Sequence, residues 1–437
     1  LSNNIGTNKR VLFDRGEIFT ASTTTNITAN GPWSIGAYGT GAKPQVNTTV
    51  SGNNGVITVG NDGTASRKDG RIADLSMDGN GSAELIDMGG GFDQLLLLRV
   101  DTTNSGDTNI FFNSAILDYN NDQPHLWEQA GVVDCTASLP KTWGVFFNAK
   151  NFAFMGNSIR NDSGSNPSHT VRISIAINGV ISNNTLGPGT SGSTDAHVLK
   201  LHGPPWASAS NGVPSSSYTE NVEISDNKFV AGTGAGSNWT VAIAPQSSSD
   251  NEHLRNIIFE RNWTTAASNT SYELYIQAVN MTVRNNLFNT SGAGGGTAIY
   301  AQQRDSAAPA PTGLEIYNNT MYTSAANLDS GTPFLGLASN VATGGATIVN
   351  NLGYAPAVSS ASMIGGSSSD YTASNNTPNV KTSPSFFAAS PSSPSDFAIK
   401  AGSYAQNSGA VIPVYSDFFG TALTNRTVRD MGFMEVP

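Results

Sequence analysis

The segment MTVRNN (Met281–Asn286) decides how this chain folds. Met281 and Val283 alternate with Thr282 and Arg284, and two asparagines close the unit. Apolar residues at a period of two share one face of a strand, not of a helix. The same arrangement stands in FAFMGN (Phe152–Asn157), VISNN (Val180–Asn184), VEISDN (Val222–Asn227), IIFERN (Ile257–Asn262), LEIYNN (Leu314–Asn319) and ATIVNN (Ala346–Asn351). The closing asparagine thus recurs at intervals of 24 to 43 residues.

A period in this range marks a repeat architecture. One strand-and-turn unit cannot bury its apolar face, so units must stack. Strands and tight turns with no helix-like segment between them predict an all-β fold, a single right-handed parallel β-helix of about ten or more coils. The asparagines are expected to stack as a ladder inside it, satisfying one another and the turn backbone. Asn183 and Asn318 also open Asn-X-Thr triplets, and they read as ladder-turn positions rather than glycosylation sites. The long interval between Asn184 and Asn227 marks an inserted loop. The 437 residues read as one domain, with an N-terminal cap and first coils over 1–56, central coils over 57–354, and C-terminal coils and tail over 355–437.

Composition agrees. Charged residues are 12% of the chain, about half the usual ~25%. Gly is 46 residues, and Asn, Ser and Thr are abundant, as turns require. The net charge of −10 leaves no basic surface for a nucleic acid. No apolar run of about 18 residues is present to span a membrane. The single Cys135 excludes an intrachain disulfide framework and a cysteine-rich metal site. A start at Leu1 without a signal peptide fits a mature secreted or periplasmic protein and equally a chain trimmed at its start; a monomer is expected.

Both ends carry a resemblance. "RVLFDRGEIF" (Arg10–Phe19) and "WSIGAYGTGAKPQV" (Trp33–Val46) resemble the opening coils of right-handed parallel β-helix proteins of the polysaccharide-lyase-like group, which includes alginate lyases and chondroitinase-B-like enzymes. "DFAIKAGSYAQNSGA" (Asp396–Ala410) and "DFFGTALTNRTVRDMGFME" (Asp417–Glu435) are similar to that group's closing segment. Asn407 stands where the group commonly has Asp, and Met431 and Phe433 replace its usual Ile and Ala. The resemblance implies the fold and a polysaccharide partner. The group's lyase signatures have no residue-by-residue counterpart here.

The functional expectation comes from a second, shorter repeat. His169-Thr-Val-Arg172-Ile-Ser174 and His197-Val-Leu-Lys200-Leu-His202 match at an offset of 28 residues. As equivalent strands one coil apart, about 4.8 Å between them, they would stack Arg172 on Lys200 and Ser174 on His202. Alternation puts Val171, Ile173, Leu199 and Leu201 inward, and Thr170, Arg172, Ser174, Val198, Lys200 and His202 outward. His169 and His197 have inward parity, or sit at the turn by the groove mouth. Stacked like charges repel, which stability alone does not select. Two cations can hold a carboxylate, and the neighbouring charge lowers a lysine pKa toward use as a base. That is the chemistry of β-elimination on a uronate. Arg172 would neutralise the carboxylate, Lys200 would be the base, and His202 or His169 the acid or proton carrier, with His197 beside them. Ion pairing of these cations with loop acids is the structural alternative.

Tyr275-Ile-Gln277 and Tyr300-Ala-Gln302 continue the face, with Trp239, Gln246 and, on an inserted loop, Trp206. Aromatic and amide side chains in a row suit sugar rings. No cofactor is required. Calcium, which needs several oxygen ligands, is the one ion the scattered acids allow, and zinc through His169, His197 and His202 is the lesser alternative. A glycoside hydrolase would need two carboxyls roughly 5–9.5 Å apart, with Asp195, Asp162, Asp250, Glu252 and Glu273 as candidates. The expected function is therefore a secreted lyase cleaving a uronate-containing polysaccharide. Hydrolysis in the same groove is the alternative, and a non-catalytic glycan-binding or structural β-helix the third.

Overall fold

The computed structural model describes residues 4–51, 55–60, 67–81, 84–88, 92–112, 127–162, 169–189, 197–204, 217–232, 239–266, 270–292, 296–324, 333–358, 362–423 and 427–436. Within them the chain winds as a parallel β-helix with three strands per coil. One face is a continuous twelve-stranded parallel sheet running from Ile18–Ala21 to Leu352–Tyr354. The other two faces join into one sheet because Val145–Met155 and Val171–Ser182 run unbroken around the corner between them. The register is coil on coil, for example Ile257↔Met281 and Phe259↔Val283. The alternate residues of each strand fill a single apolar core. Parallel pairing continues past Tyr354, through Ser362–Gly365 and Tyr371–Ser374, before the irregular tail. No helix of the described residues is long and apolar enough to cross a membrane.

The ladder runs Asn157, Asn184, Asn227, Asn262, Asn286, Asn319 and Asn351, and one rung further to Asn376. Each Oδ1 accepts both the side-chain and the backbone N–H of the rung before it, as Asn262 does from Asn227 at 3.0 Å. Each Nδ2 also donates to a strand carbonyl, such as Asn262 to Ile224 O at 2.8 Å. The residue before each rung is left-handed, with φ near +55° at Asn183, Asp226, Arg261 and Asn285. Asn and Asp tolerate that region better than most. Toward the N-terminus the position turns apolar. There Cys135 is fully buried, its thiol pushed up to about 11 by burial, and its backbone N–H caps the ladder by donating to Asn157.

The predicted facing holds for Val171, Ile173, Leu199 and Leu201, which lie in the core. It fails for Thr170 and Val198, which are buried at a corner of the coil, Val198 within the core cluster. The chain bends there, so Val198 and Leu199 both turn inward. That flips the residues before them, and His169 and His197 join the outer column.

Glu273, a candidate acid, also lies inside the coil with no exposed surface, its carboxyl bonded to Thr264. It belongs to the core, not to a groove. Burial pushes its pKa from 4.5 to about 8. The native state then holds a proton that the unfolded chain has lost, so stability falls as pH rises from 4.5 to 8. Glu273→Gln is expected to remove that loss, gaining on the order of 5 kcal/mol over wild type at pH above 8 and little near pH 5, by denaturant titration.

Candidate active site

The two-strand repeat pairs as its spacing predicts, with Arg172 opposite Lys200 and Ile173 opposite Leu201. The outer column continues through Ala242, Tyr275 and Tyr300 to Gly336. One rung along, Ser174 and His202 meet, with Ser174 Oγ 2.9 Å from His202 Nε2. Arg172 Nε donates to the same ring nitrogen at 3.3 Å. On the far side of the ring, His202 Nδ1 lies 3.0 Å from Glu252 Oε1. Arg172 and Ser174 stand on strand Val171–Ser182, His202 directly follows strand Leu199–Leu201, and Glu252 comes from the loop after Trp239–Ile243.

The loop is fixed from several directions. Lys200 Nζ donates to Ala244 O at 2.8 Å and Pro245 O at 3.0 Å. The second Glu252 oxygen accepts the Gln246 N–H at 2.8 Å. Gln277 accepts the backbone N–H of Asp305, whose carboxylate accepts the Asn251 N–H at 2.6 Å. Gly203 allows the loop to close down, since a Cβ there would sit 2.6 Å from His253 O.

A donor census sets the protonation. Arg172 Nε can only donate, so His202 Nε2 carries the lone pair. Nδ1 then carries the hydrogen and donates it to Glu252. Burial pushes His202 below its ordinary value of 6.5, Glu252 pulls it back, and Arg172 and Lys200 add to the lowering. Burial also pushes Glu252 up, but His202, Lys200 and the Gln246 N–H outweigh it and hold the carboxyl below its ordinary value. The pair is therefore neutral imidazole against carboxylate at neutral pH.

The serine strand carries a bulge. Register slips between Phe147 and Ala149, leaving Asn148 opposite two residues. Asn148 Oδ1 accepts the N–H groups of both Ser174 (2.9 Å) and Ile175 (3.0 Å). Bulges of this kind re-aim side chains beside active sites.

The other expected residues are distributed as follows. His169 and His197 stack at 4.9 Å and His197 on Trp239 at 5.0 Å, both histidines pushed well below 6.5 by burial. Trp239 stacks in turn on Tyr275 at 4.0 Å, so both its faces are covered by protein and neither is open to a sugar. Gln277 is spent on Arg304, Asp305 and Pro309, a support role rather than a substrate contact. Gln302 accepts the Tyr275 hydroxyl at 3.1 Å, and Tyr300 stacks on Tyr272 at 4.3 Å. Gln246 is exposed and accepts Arg172 Nη2 at 2.5 Å. Of the alternative acids, Glu252 reaches the cluster, while Asp162 pairs with Arg160. Asp250 lies on the Glu252 loop. Trp206 and Asp195 lie outside the described residues. Among the described residues no group of three metal-ligating side chains converges. Sequence reasoning missed Ser174 as a reactive group and Asn148 altogether, although Ser174 stood in the repeat opposite His202.

No protein-family model and no curated sequence matches the chain. Solved structures do. The A-module of the Azotobacter vinelandii mannuronan C-5 epimerase AlgE6 aligns over 84% of this chain and 90% of the module, at 13% identity and a TM-score of 0.57. The pectate lyase Pel9A aligns over 97% of both chains, at 12% identity and a TM-score of 0.50. The PL6 family alginate lyase AlyGC aligns over 85% of this chain and 51% of its own, at 10% identity and a TM-score of 0.50. The fold shared with them is the right-handed parallel β-helix.

Proposed function

We propose that the protein is a polysaccharide lyase, acting on a uronate-containing glycan at the Arg172–His202–Glu252 cluster. The observation that carries this reading is the His202 Nε2 lone pair beside the Arg172 guanidinium, with Nδ1 pinned by Glu252. Arg172 binds the uronate carboxylate and neutralises it, which acidifies the neighbouring C–H. His202 Nε2 removes that proton. The electron pair forms the double bond and expels the glycosidic oxygen, which recovers the proton from the imidazolium. The base is His202 and not the Lys200 that the repeat alone suggested. An ammonium that donates to two carbonyls is a tether for the Glu252 loop, with no lone pair to offer.

The structural neighbours include two lyases and an epimerase, named for pectate, alginate and mannuronan, and they support a polysaccharide as the partner. Such a substrate goes with a secreted or periplasmic place of action. Hydrolysis fits less well, because it needs two carboxyls flanking the bond. Among the described residues only Glu252 reaches the cluster, and it is committed to His202.

Reducing the uronate carboxyls of a cleaved glycan to alcohols is expected to abolish cleavage. Arg172→Gln is expected to lower kcat/KM on the unreduced glycan by about a hundredfold or more. Equal cleavage of native and carboxyl-reduced glycan would end the elimination reading.

A further inference from the structure

Ser174 is not needed for elimination, yet its hydroxyl is bound to the one lone pair of the base. The chain of contacts runs Ser174 Oγ to His202 Nε2 at 2.9 Å and His202 Nδ1 to Glu252 Oε1 at 3.0 Å. The donor census fixes the hydroxyl as donor to the ring and the ring as donor to the carboxylate. Nucleophile, base and orienting acid therefore stand in the order and tautomer that serine acyl transfer requires.

We propose that Ser174, His202 and Glu252 form an acyl-transfer relay, a second activity of this cluster that hydrolyses esters borne on glycan hydroxyls. The glycan as acyl carrier rests on the reading above, and the relay itself does not. Ser174 Oγ attacks the ester carbonyl carbon as its proton passes to His202 Nε2. The carbon–oxygen bond to the glycan breaks, and the departing oxygen takes that proton from the imidazolium. Water then attacks acyl-Ser174, His202 again carrying the proton, and a carboxylic acid leaves with Ser174 restored. Glu252 is the positioning residue throughout.

Two groups can hold the oxyanion. The Arg172 guanidinium already lies against the ring nitrogen. Asn148, opposite Ser174 at the bulge, is the second candidate donor. Its two accepted N–H bonds settle which end of the amide is oxygen, and they fix the side chain against the serine's own backbone. Its Nδ2 is buried and has no partner among the described residues.

The test uses the intact chain and a fluorophosphonate probe, with the modified peptide read by mass spectrometry and p-nitrophenyl acetate hydrolysis followed in parallel. Labelling at Ser174 is expected, lost in Ser174→Ala and slowed about a thousandfold in His202→Gln. Glu252→Gln is expected to slow labelling and to move its acid limb to lower pH, because the carboxylate that favours imidazolium is gone. No label on Ser174 in the folded wild type overturns the proposal. So does labelling that is as fast in His202→Gln as in wild type. Unsaturated glycan products measured on the same preparation report on elimination alone, so either activity can fail without the other.

Discussion

His202→Gln is expected to lower kcat/KM for the cleaved glycan by about a thousandfold, the range of a lost general base. Glutamine keeps the approximate volume and can still reach Ser174 or Glu252, so packing is largely preserved. What it lacks is a lone pair that accepts a proton near neutral pH. The contrast is Lys200→Met. That change strips two carbonyls of their donor and loosens the loop carrying Glu252, so it is expected to cost stability and some rate without abolishing turnover, and to move the acid limb slightly upward because the Lys200 charge that helps lower His202 is gone. The profile itself is a check. His202 must be neutral to act, and its pKa lies below the ordinary 6.5, so the acid limb of kcat/KM should fall below that pH. A limb well above it would argue for a different base.

Asn262→Ala is expected to destabilise the fold by about 4 kcal/mol, measured by urea titration. Asn262 sits mid-ladder with no exposed surface. Its Oδ1 accepts from the backbone and side chain of Asn227, and its Nδ2 donates to Ile224 O and to Asn286. Alanine leaves the buried Asn227 N–H with no partner and opens a gap in the turn. An exposed counterpart makes the control. Asn256 donates to Asn221 and accepts from Asn280 on the outer surface, where water can replace both bonds, so Asn256→Ala is expected to cost only about 1–2 kcal/mol, mostly for its left-handed backbone at φ +54°.

The ladder and the strand alternation were legible because they repeat. Each rung from Asn157 to Asn351 is a position where the same physical demand, a buried turn with unpaired backbone, recurs coil after coil. The rung at Asn376 escaped because Ala373 stands where the pattern has a larger apolar residue. The pairing of Arg172 with Lys200 was legible for the same reason, a fixed offset between two strands. What those side chains do was not. Lys200 reads as a base in the sequence and lies under a loop in the structure, because the loop that caps it begins 44 residues later and leaves no periodic trace. Glu252 stood among several candidate acids until the fold brought it to His202. Trp239 looked like a sugar platform, yet stacking between His197 and Tyr275 covers both faces. Repetition discloses the scaffold, whereas the inserted loops complete the chemistry.

The most direct measurement is to incubate wild type and His202→Gln with alginate, pectate, hyaluronan, chondroitin and bacterial exopolysaccharides, following ultraviolet absorbance of unsaturated uronate ends while counting reducing ends. Both signals are expected to rise together for wild type on a uronate glycan, and both to collapse in His202→Gln. Reducing ends released without unsaturated product, or cleavage undiminished in His202→Gln, would contradict elimination with His202 as the base.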